Sequence, residues 1–293
     1  MENLLNRAEQ VAEEAEVYMA TMEETPVQFE SNRLKHIQSK QSNYTALRII
    51  KDGKIGYAVT SGLVDTDYMV NTALETSRFG IEACFEFPSP GNYPETNIYD
   101  GDVESVPLDK MVQLGEKAIN EIRSYNPDVV CQAEVNKGIS SVHICNSRGG
   151  EVSYRQSTFA LGIEGQLTRD TDMLFVGESE SSCHPINTAS RVTDTVLRQL
   201  ELARTQDRLS SKRVQVIFTP SGVASAIIPP LMAAFNGKMV MEGASPLVNR
   251  DGQEVFDRKF FLSDDPTLDY RPESRPADDE GTPSHLTVLV EEG

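Results

Sequence analysis

Several features that would mark a secreted or membrane protein are missing from this sequence. It has no tryptophan and only four cysteines and four histidines among 293 residues. No apolar run approaches the roughly 20 residues that a membrane-spanning helix needs. The N-terminal stretch MENLLNRAEQVAEEAEVY lacks the basic and apolar regions of a signal peptide. We therefore expect a cytoplasmic protein that does not enter a membrane.

Basic residues are also scarce. Lysine and arginine total 27 against 45 aspartates and glutamates, so the formal net charge is −18. The longest basic stretches, RLKH and SSKR, are short. An acidic surface repels the phosphate backbone of DNA and RNA. The composition therefore argues against direct nucleic-acid binding.

The cysteines and histidines show no close pairing. The thiols lack CxxC spacing and the histidines lack HExxH or HxH spacing, which predicts reduced thiols without a disulfide framework. A tetrahedral zinc site is an alternative, because residues two apart on a strand share a face. The residues that would build it are Cys131, His143, Cys145, Cys183 and His184.

The hydrophobic patterning alternates between helical and strand periods. Helical spacing runs from Leu4 to Ala15, from Asp65 to Ala83, from Leu108 to Tyr125 and over 188–206. Alternating runs over 16–62 predict three or four antiparallel strands, with a hairpin turn at KDGK. The segments VVCQAEV, SSVHICNS, GEVSYRQSTFALGIEGQ and TDMLFVGESES predict a β-meander.

These elements predict an α+β fold. An N-terminal helix and antiparallel-sheet domain is expected over 1–208, with two subregions joined by a proline-rich loop near 86–104. A β-rich C-terminal domain is expected over 209–293, with strands in SSKRVQVIFTPSG, DRKFFLSDD and HLTVLVEEG. Because the sequence stops directly after the last alternating run, we expect either a partner chain over that strand or a natural protein that continues.

No catalytic constellation is evident from the residues alone. The sequence has no GxSxG elbow, no P-loop and no GxGxxG after a predicted strand. Three carboxylates cluster in DDEG, the residues Asp278, Asp279, Glu280 and Gly281. Such a cluster either binds a hard cation or forms a solvated acidic turn.

Several segments in this order resemble the TldD/PmbA family, whose members are also called modulators of DNA gyrase. They are RIIKDGKIGYAVTSG, HICNSRGGEVSYRQST, VIFTPSGVASAII and the stretch from GASPLVNRDGQEVF through LSDDP to PADDEGTPSHLTVLVEEG. The resemblance implies a cytosolic metalloprotease of two related subunits that act on peptides or poorly folded proteins. The TldD-type subunit carries a zinc helix with HExxxH, and the PmbA-type (TldE) subunit lacks those ligands.

In this sequence SAIIPPLMAAFNGK stands where the family's zinc helix would be. The first histidine and the glutamate would fall at or near Pro229 and Pro230, and the second histidine near Ala234. These side chains offer no lone pair to a metal. The resemblance therefore implies a PmbA-like subunit with no catalytic and no metal residue of its own. Zinc is expected only in a TldD-type partner, in a heterodimer, with a self-dimer as the other possibility.

The resemblance also makes Asp278, Asp279, Glu280 and Gly281 a candidate peptide or subunit interface, because DDEG matches a family segment. Two other functions stay open. A standalone peptide-binding or scaffold protein would capture extended segments at exposed strand edges and need no protease partner. A DNA-binding regulator is suggested only by the family's name, and the net charge disfavours it.

Overall fold

The computed structural model describes residues 1–169, 172–205, 207 and 210–293. The helices are α1 (Glu2–Glu9), α2 (Thr66–Ser77), α3 (Gly101–Ser105), α4 (Leu108–Tyr125), α5 (Ser190–Leu202), α6 (Pro220–Ala226), α7 (Ile228–Phe235) and α8 (Gly237–Met241). The strands are β1 (Glu14–Glu30), β2 (Arg33–Ile37), β3 (Lys40–Lys51), β4 (Lys54–Ser61), β5 (Val130–Asn146), β6 (Glu151–Arg169), β7 (Asp172–Ser182), β8 (Leu262–Asp264) and β9 (Thr287–Val290).

The long strands build one antiparallel sheet in the order β4-β3-β1-β5-β6-β7, and β2 pairs with the end of β1. The hairpin between β3 and β4 turns at Asp52 and Gly53, which both have positive φ. An Asp-Gly pair tolerates this conformation, and its twist suits a two-residue hairpin. The predicted hairpin is therefore confirmed.

Helices cover one face of this sheet in two groups. At one end α1 and α2 pack on the sheet through a cluster that includes Leu4, Leu47 and Met69. At the other end α4 and α5 pack through a larger cluster that includes Phe29 and Leu161. Because alternate residues of a strand point to opposite faces, the odd-numbered residues of β1 and β5 supply this core.

The opposite face of the sheet carries a smaller apolar cluster. Val142, Ile144 and Val152 pack there with Ala277, which lies far along the chain. Two tyrosines, Tyr18 and Tyr154, are half-buried beside them. The segment around Ala277 therefore lies against the face that the helices leave open.

The chain divides into two units. Unit 1 comprises Met1–Thr205 and Pro266–His285, and unit 2 comprises Gln206–Asp265 and Leu286–Gly293. The predicted boundary between 208 and 209 lies outside the described residues. In the described part of unit 2, three short helices accompany the two-stranded sheet of β8 and β9.

The α+β class with an antiparallel sheet is confirmed. The strand predicted in SSKRVQVIFTPSG was wrong, because 213–219 joins no ladder with any residue that the structure describes and α6 begins at Pro220. Alternating apolar and polar residues do not by themselves provide the neighbouring strand that a ladder needs. The start of α6 is favoured instead, because Thr219 accepts a hydrogen bond from the amide of Gly222 and Pro220 suits a first helical turn. Within the described ranges no helix is long and apolar enough to cross a membrane.

Candidate functional site

The acidic segment singled out from the sequence forms a tight turn on the helix-free face of the sheet. The Asp278 carboxylate accepts hydrogen bonds from the amides of Glu280 at 2.9 Å and Thr282 at 2.8 Å. Gly281 has a φ of +73°, a conformation that favours glycine. The side chain of Asp278 therefore holds the turn together, as aspartate often does in loops.

The other residues of this turn have separate neighbours. Arg275 donates to the Asp279 carboxylate at 2.9 Å, and Arg48 donates to the Glu280 carboxylate at 2.7 Å. The Tyr93 hydroxyl donates to the carbonyl of Gly281 at 3.1 Å. The carboxylates are thus spread over different partners. No group of three or more His, Cys, Asp and Glu side chains suited to a metal occurs among the residues that the structure covers.

Arg48 links this turn to a carboxylate inside the sheet. Glu16 on β1 and Arg48 on β3 are directly opposite each other in the ladder, and Arg48 Nη2 donates to Glu16 Oε1 at 2.8 Å. The guanidinium also lies over the rings of Phe85 and Phe87, 5.3 and 5.1 Å from their centroids. One arginine thereby joins Glu16, Glu280 and an aromatic pair.

Glu16 is the most unusual ionisable group of the site. Its side chain is only 4% exposed, and its Oε2 atom has no hydrogen-bond partner among the residues that the structure describes. Burial raises the pKa of Glu16 to about 7, Arg48 opposes that rise, and the negative charges of Glu280 and Asp278 add to it. Near neutral pH this carboxyl is therefore divided between its two protonation states.

A hollow of about 390 Å³ opens beside the pair. Its charged lining residues are Glu16, Arg48 and Asp279, and its aromatic lining residues are Tyr18 and Tyr57. Burial raises the pKa of Tyr18 above its usual range, and the charge of Asp279 adds to the effect. The Tyr18 phenol therefore stays neutral at physiological pH.

Sequence reasoning missed Glu16 and Arg48. Each is the one charged residue of a mostly apolar strand run, in AEVYMA and TALRII. A charge in such a run is a usable signal, because charged side chains are rarely buried unless they are paired. Their partnership depends on the register of β1 with β3, which the sequence pattern does not supply.

The structure does not bring the cysteines and histidines of the alternative zinc site together. Cys131 belongs to the cluster under α4 and α5, whereas Cys145 packs at the other end of the same strand, near α1 and α2. His143 pairs with Glu151 at 2.9 Å. His184 contacts Asp100 at 2.6 Å and stacks on Tyr270. Burial raises the pKa of the thiols to about 11, and these thiols are Cys131, Cys145 and Cys183.

The segment aligned with the family's zinc helix is broken into two helices. α6 ends at Ala226 and α7 starts at Ile228, so Pro229 and Pro230 lie in the first turn of α7. Proline is tolerated there because the first-turn amides have no partner within the helix. Neither helix contains His, Cys, Asp or Glu. These residues do not fit a zinc ion, since they offer no side-chain ligand for it.

Comparison with known proteins places nearly the whole chain in one family. The PmbA/TldA metallopeptidase domain 1 matches residues 15–81, the central domain matches 101–215, and the C-terminal domain matches 211–293. An uncharacterised protein of Methanocaldococcus jannaschii is 26% identical over 302 residues. That match covers all of this chain and 68% of the relative.

Solved structures share the fold over the full length of the chain. TldE from Thermococcus kodakarensis superposes with a TM-score of 0.84 at 21% identity, and the match covers 68% of that protein. A Bacteroides thetaiotaomicron protein that carries the name modulator of DNA gyrase superposes with a TM-score of 0.89 at 16% identity, over 69% of its length. The domain matches, supported by this shared fold, show that the chain belongs to the PmbA/TldD metallopeptidase family.

Proposed function

We propose that this chain is a PmbA/TldE-like subunit of a cytoplasmic metallopeptidase complex that processes peptides and unfolded proteins. In this proposal a related TldD-type subunit with an HExxxH helix supplies the zinc ion and the hydrolytic step. The present chain shapes the substrate-binding cavity. The assembly is a heterodimer, and a self-dimer is the competing arrangement.

The observation that carries this proposal is the composition of α6 and α7. The family's metal-binding motif needs two histidines and a glutamate on one helix, and α6 and α7 have none of them. Positions 229, 230 and 234 all lie on α7, where Pro229, Pro230 and Ala234 present no side-chain ligand. Family membership without this motif favours a partner subunit over an independent peptidase.

The acidic turn at Asp278, Asp279, Glu280 and Gly281 is proposed as part of the peptide or subunit interface. Asp279 is 70% exposed even though Arg275 contacts it, so its carboxylate is accessible to a second molecule. Its position beside the hollow supports a role in contacting peptide. A direct role on DNA is disfavoured, because the net charge of −18 opposes binding to phosphate.

The proposal is tested by purifying the tagged chain from its native lysate and identifying the proteins that accompany it by mass spectrometry. We expect a related subunit with HExxxH at near-equal stoichiometry. Peptide hydrolysis should appear only when that subunit is present and should be lost with a chelator. A tagged acidic protein of similar size and charge is the matched control for retention through charge alone.

Two results would contradict the proposal. Zinc-dependent peptide hydrolysis by the purified chain alone would assign catalysis to this subunit. Recovery of the chain as a monomer or self-dimer that binds peptides without an HExxxH partner would support the standalone peptide-binding function instead.

A further inference from the structure

The strand β7 lies at one edge of the main sheet, and α5 closes part of that edge. The side-chain amide of Gln199 accepts from the backbone amide of Gly177 at 2.9 Å and donates to its carbonyl at 3.0 Å. The carboxamide thus takes the place of a peptide group in a neighbouring strand. Because backbone groups alternate in direction along a strand, Met173 and Phe175 direct theirs to the same outer side as Gly177.

The outer edge of β7 is open at Met173 and Phe175. The outward amide and carbonyl of these two residues have no hydrogen-bond partner among the residues that the structure describes. The edge stays closed beyond Gly177, since the amide of Ser179 donates to the Glu178 carboxylate at 3.0 Å. Two free donors and two free acceptors in alternation match the main chain of an extended segment.

A groove of about 360 Å³ lies beside the open part of this edge, on the helix-free face of the sheet. Gln166 is opposite both Val130 on β5 and Phe175 on β7, so these three side chains form one row across the groove. Phe175 is 68% exposed and Val130 is 45% exposed, although both are apolar. The groove therefore offers apolar surface to a side chain of an added strand.

The charge beside the groove is negative. Glu164 is its charged lining residue, and Gly177 lies directly opposite Glu164 in the ladder. A Cβ atom at Gly177 would lie 3.4 Å from Cγ of Glu164, so the glutamate side chain leans towards this position. Since Gly177 has no side chain, a long basic side chain from an added strand can cross it towards the carboxylate. The net charge of −18 opposes pairing of this edge with a second copy of the chain.

We propose that the open edge of β7 binds an extended peptide segment as an added strand. Met173 and Phe175 supply the backbone pairing, the groove takes an apolar side chain, and Glu164 attracts a basic one. The unpaired backbone groups select an extended main chain as the occupant, because only alternating donors and acceptors satisfy them all.

This site deepens the proposed function and rests on it for its biological meaning, since it gives unfolded polypeptide a place to dock on the subunit. The binding itself needs no partner subunit. A failed search for a partner and a failed binding experiment would therefore refute different statements.

The test is fluorescence polarisation of the full chain with the peptide fluorescein-Lys-Thr-Val-Thr-Val-Thr-Lys-amide. Its lysines and valines lie on one face of an extended strand, and a lysine at each end permits either strand direction. Two further peptides carry N-methyl groups, one on both valines and the other on the first two threonines. Only one of these sets of amides can face β7. We expect one methylated peptide to bind about tenfold more weakly and the other to bind like the parent peptide.

Variants of the chain separate the contributions to binding. Phe175→Pro removes the outward amide and should weaken binding about tenfold, and proline is tolerated where an edge amide faces solvent. Phe175→Thr keeps that amide but loses the ring, so binding should weaken about threefold. A peptide with glutamate in place of both lysines should bind more weakly, and Glu164→Gln should remove this preference for lysine.

Phe79→Thr is the matched control, because Phe79 is a 91% exposed aromatic residue outside the sheet. This variant should bind like the unmodified chain. The methylated peptides test the pairing on the unmodified chain, so the result does not depend on the folding of the proline variant. Equal loss of affinity with both methylated peptides, or absence of binding, would overturn the proposal. A dimer that Phe175→Pro converts to a monomer in analytical ultracentrifugation would also overturn it, since a second copy would then occupy the edge.

Discussion

At the scale of single residues, Glu16 and Arg48 define how the sheet and the acidic turn meet. A salt bridge in such a buried position contributes little net stability, because both charges lose their hydration. Here the raised pKa of Glu16 indicates that lost hydration outweighs the attraction of Arg48. The pair is therefore better explained by a role in positioning or binding than by stabilisation of the fold.

The raised pKa of Glu16 predicts a defined pH dependence of stability. The ordinary value is 4.5 and the folded value is about 7, so between these pH values the folded protein keeps a proton that the unfolded chain has lost. Stability that depends on Glu16 is therefore present at low pH and falls as pH rises through this window, by up to about 3 kcal/mol. Urea unfolding of the unmodified chain and of Glu16→Gln measures the effect as the difference in unfolding free energy at each pH.

The stability of the unmodified chain relative to Glu16→Gln should thus decline from pH 4.5 to pH 7.5. The exposed Glu134→Gln exchange serves as the control, and its difference from the unmodified chain should change much less. A Glu16→Gln difference that stays constant over this range would show that burial does not raise the pKa of Glu16, and would remove this explanation of the site.

At the scale of elements, local signals predicted much of unit 1. The helix from Leu108 to Tyr125 is confirmed at both ends, since Pro107 starts it and Asn126-Pro127 stops it. In contrast, the two segments VVCQAEV and SSVHICNS belong to one continuous strand, β5. The intervening Asn136-Lys137-Gly138 is typical of a turn, but β1 and β6 pair with it on both sides and hold it extended. Tertiary pairing of this kind is not visible in local sequence.

The contact between α2 and β4 depends on the absence of a side chain at Gly56. A Cβ atom there would overlap the carbonyl oxygen of Ala73 and lie 2.7 Å from Cβ of Ser77. Because the first obstacle is helix backbone, α2 would have to move away from the sheet. We expect Gly56→Ala to lower the free energy of unfolding by about 3 kcal/mol, as measured by urea unfolding.

Gly162→Ala is the matched control for this substitution. Gly162 also lies inside a strand, but a Cβ there would meet only Cβ of Ser179 at 3.7 Å, an ordinary contact. This exchange should be nearly neutral. An equal loss of unfolding free energy at the two positions would show that the lower strand propensity of glycine sites, and not the close approach of α2, determines the destabilisation.

At the scale of the whole molecule, the two units bury very different amounts of apolar surface. Nearly all buried apolar residues belong to unit 1, whereas in the described part of unit 2 the buried apolar residues are only Ala234 and Val290. Ile217 is 95% exposed and Met241 is 90% exposed. The sequence could not predict this difference, since the alternation in VQVIF is typical of a paired strand. Hydrophobic pattern indicates which side chains can be buried, but not whether a partner is present.

This contrast predicts a difference in hydrogen exchange along the isolated chain. Amides of β1, β5 and β6 are each bonded within a wide sheet, so their exchange should require extensive unfolding and take hours. Amides of 213–219, which have no ladder partner among the described residues, should exchange within seconds to minutes. Exchange followed by mass spectrometry separates the two regions in one experiment. Amide exchange in 213–219 as slow as that in β5 would mean that this segment is hydrogen-bonded in solution. The apolar residues of 213–219 would then belong to a strand that pairs within the isolated chain.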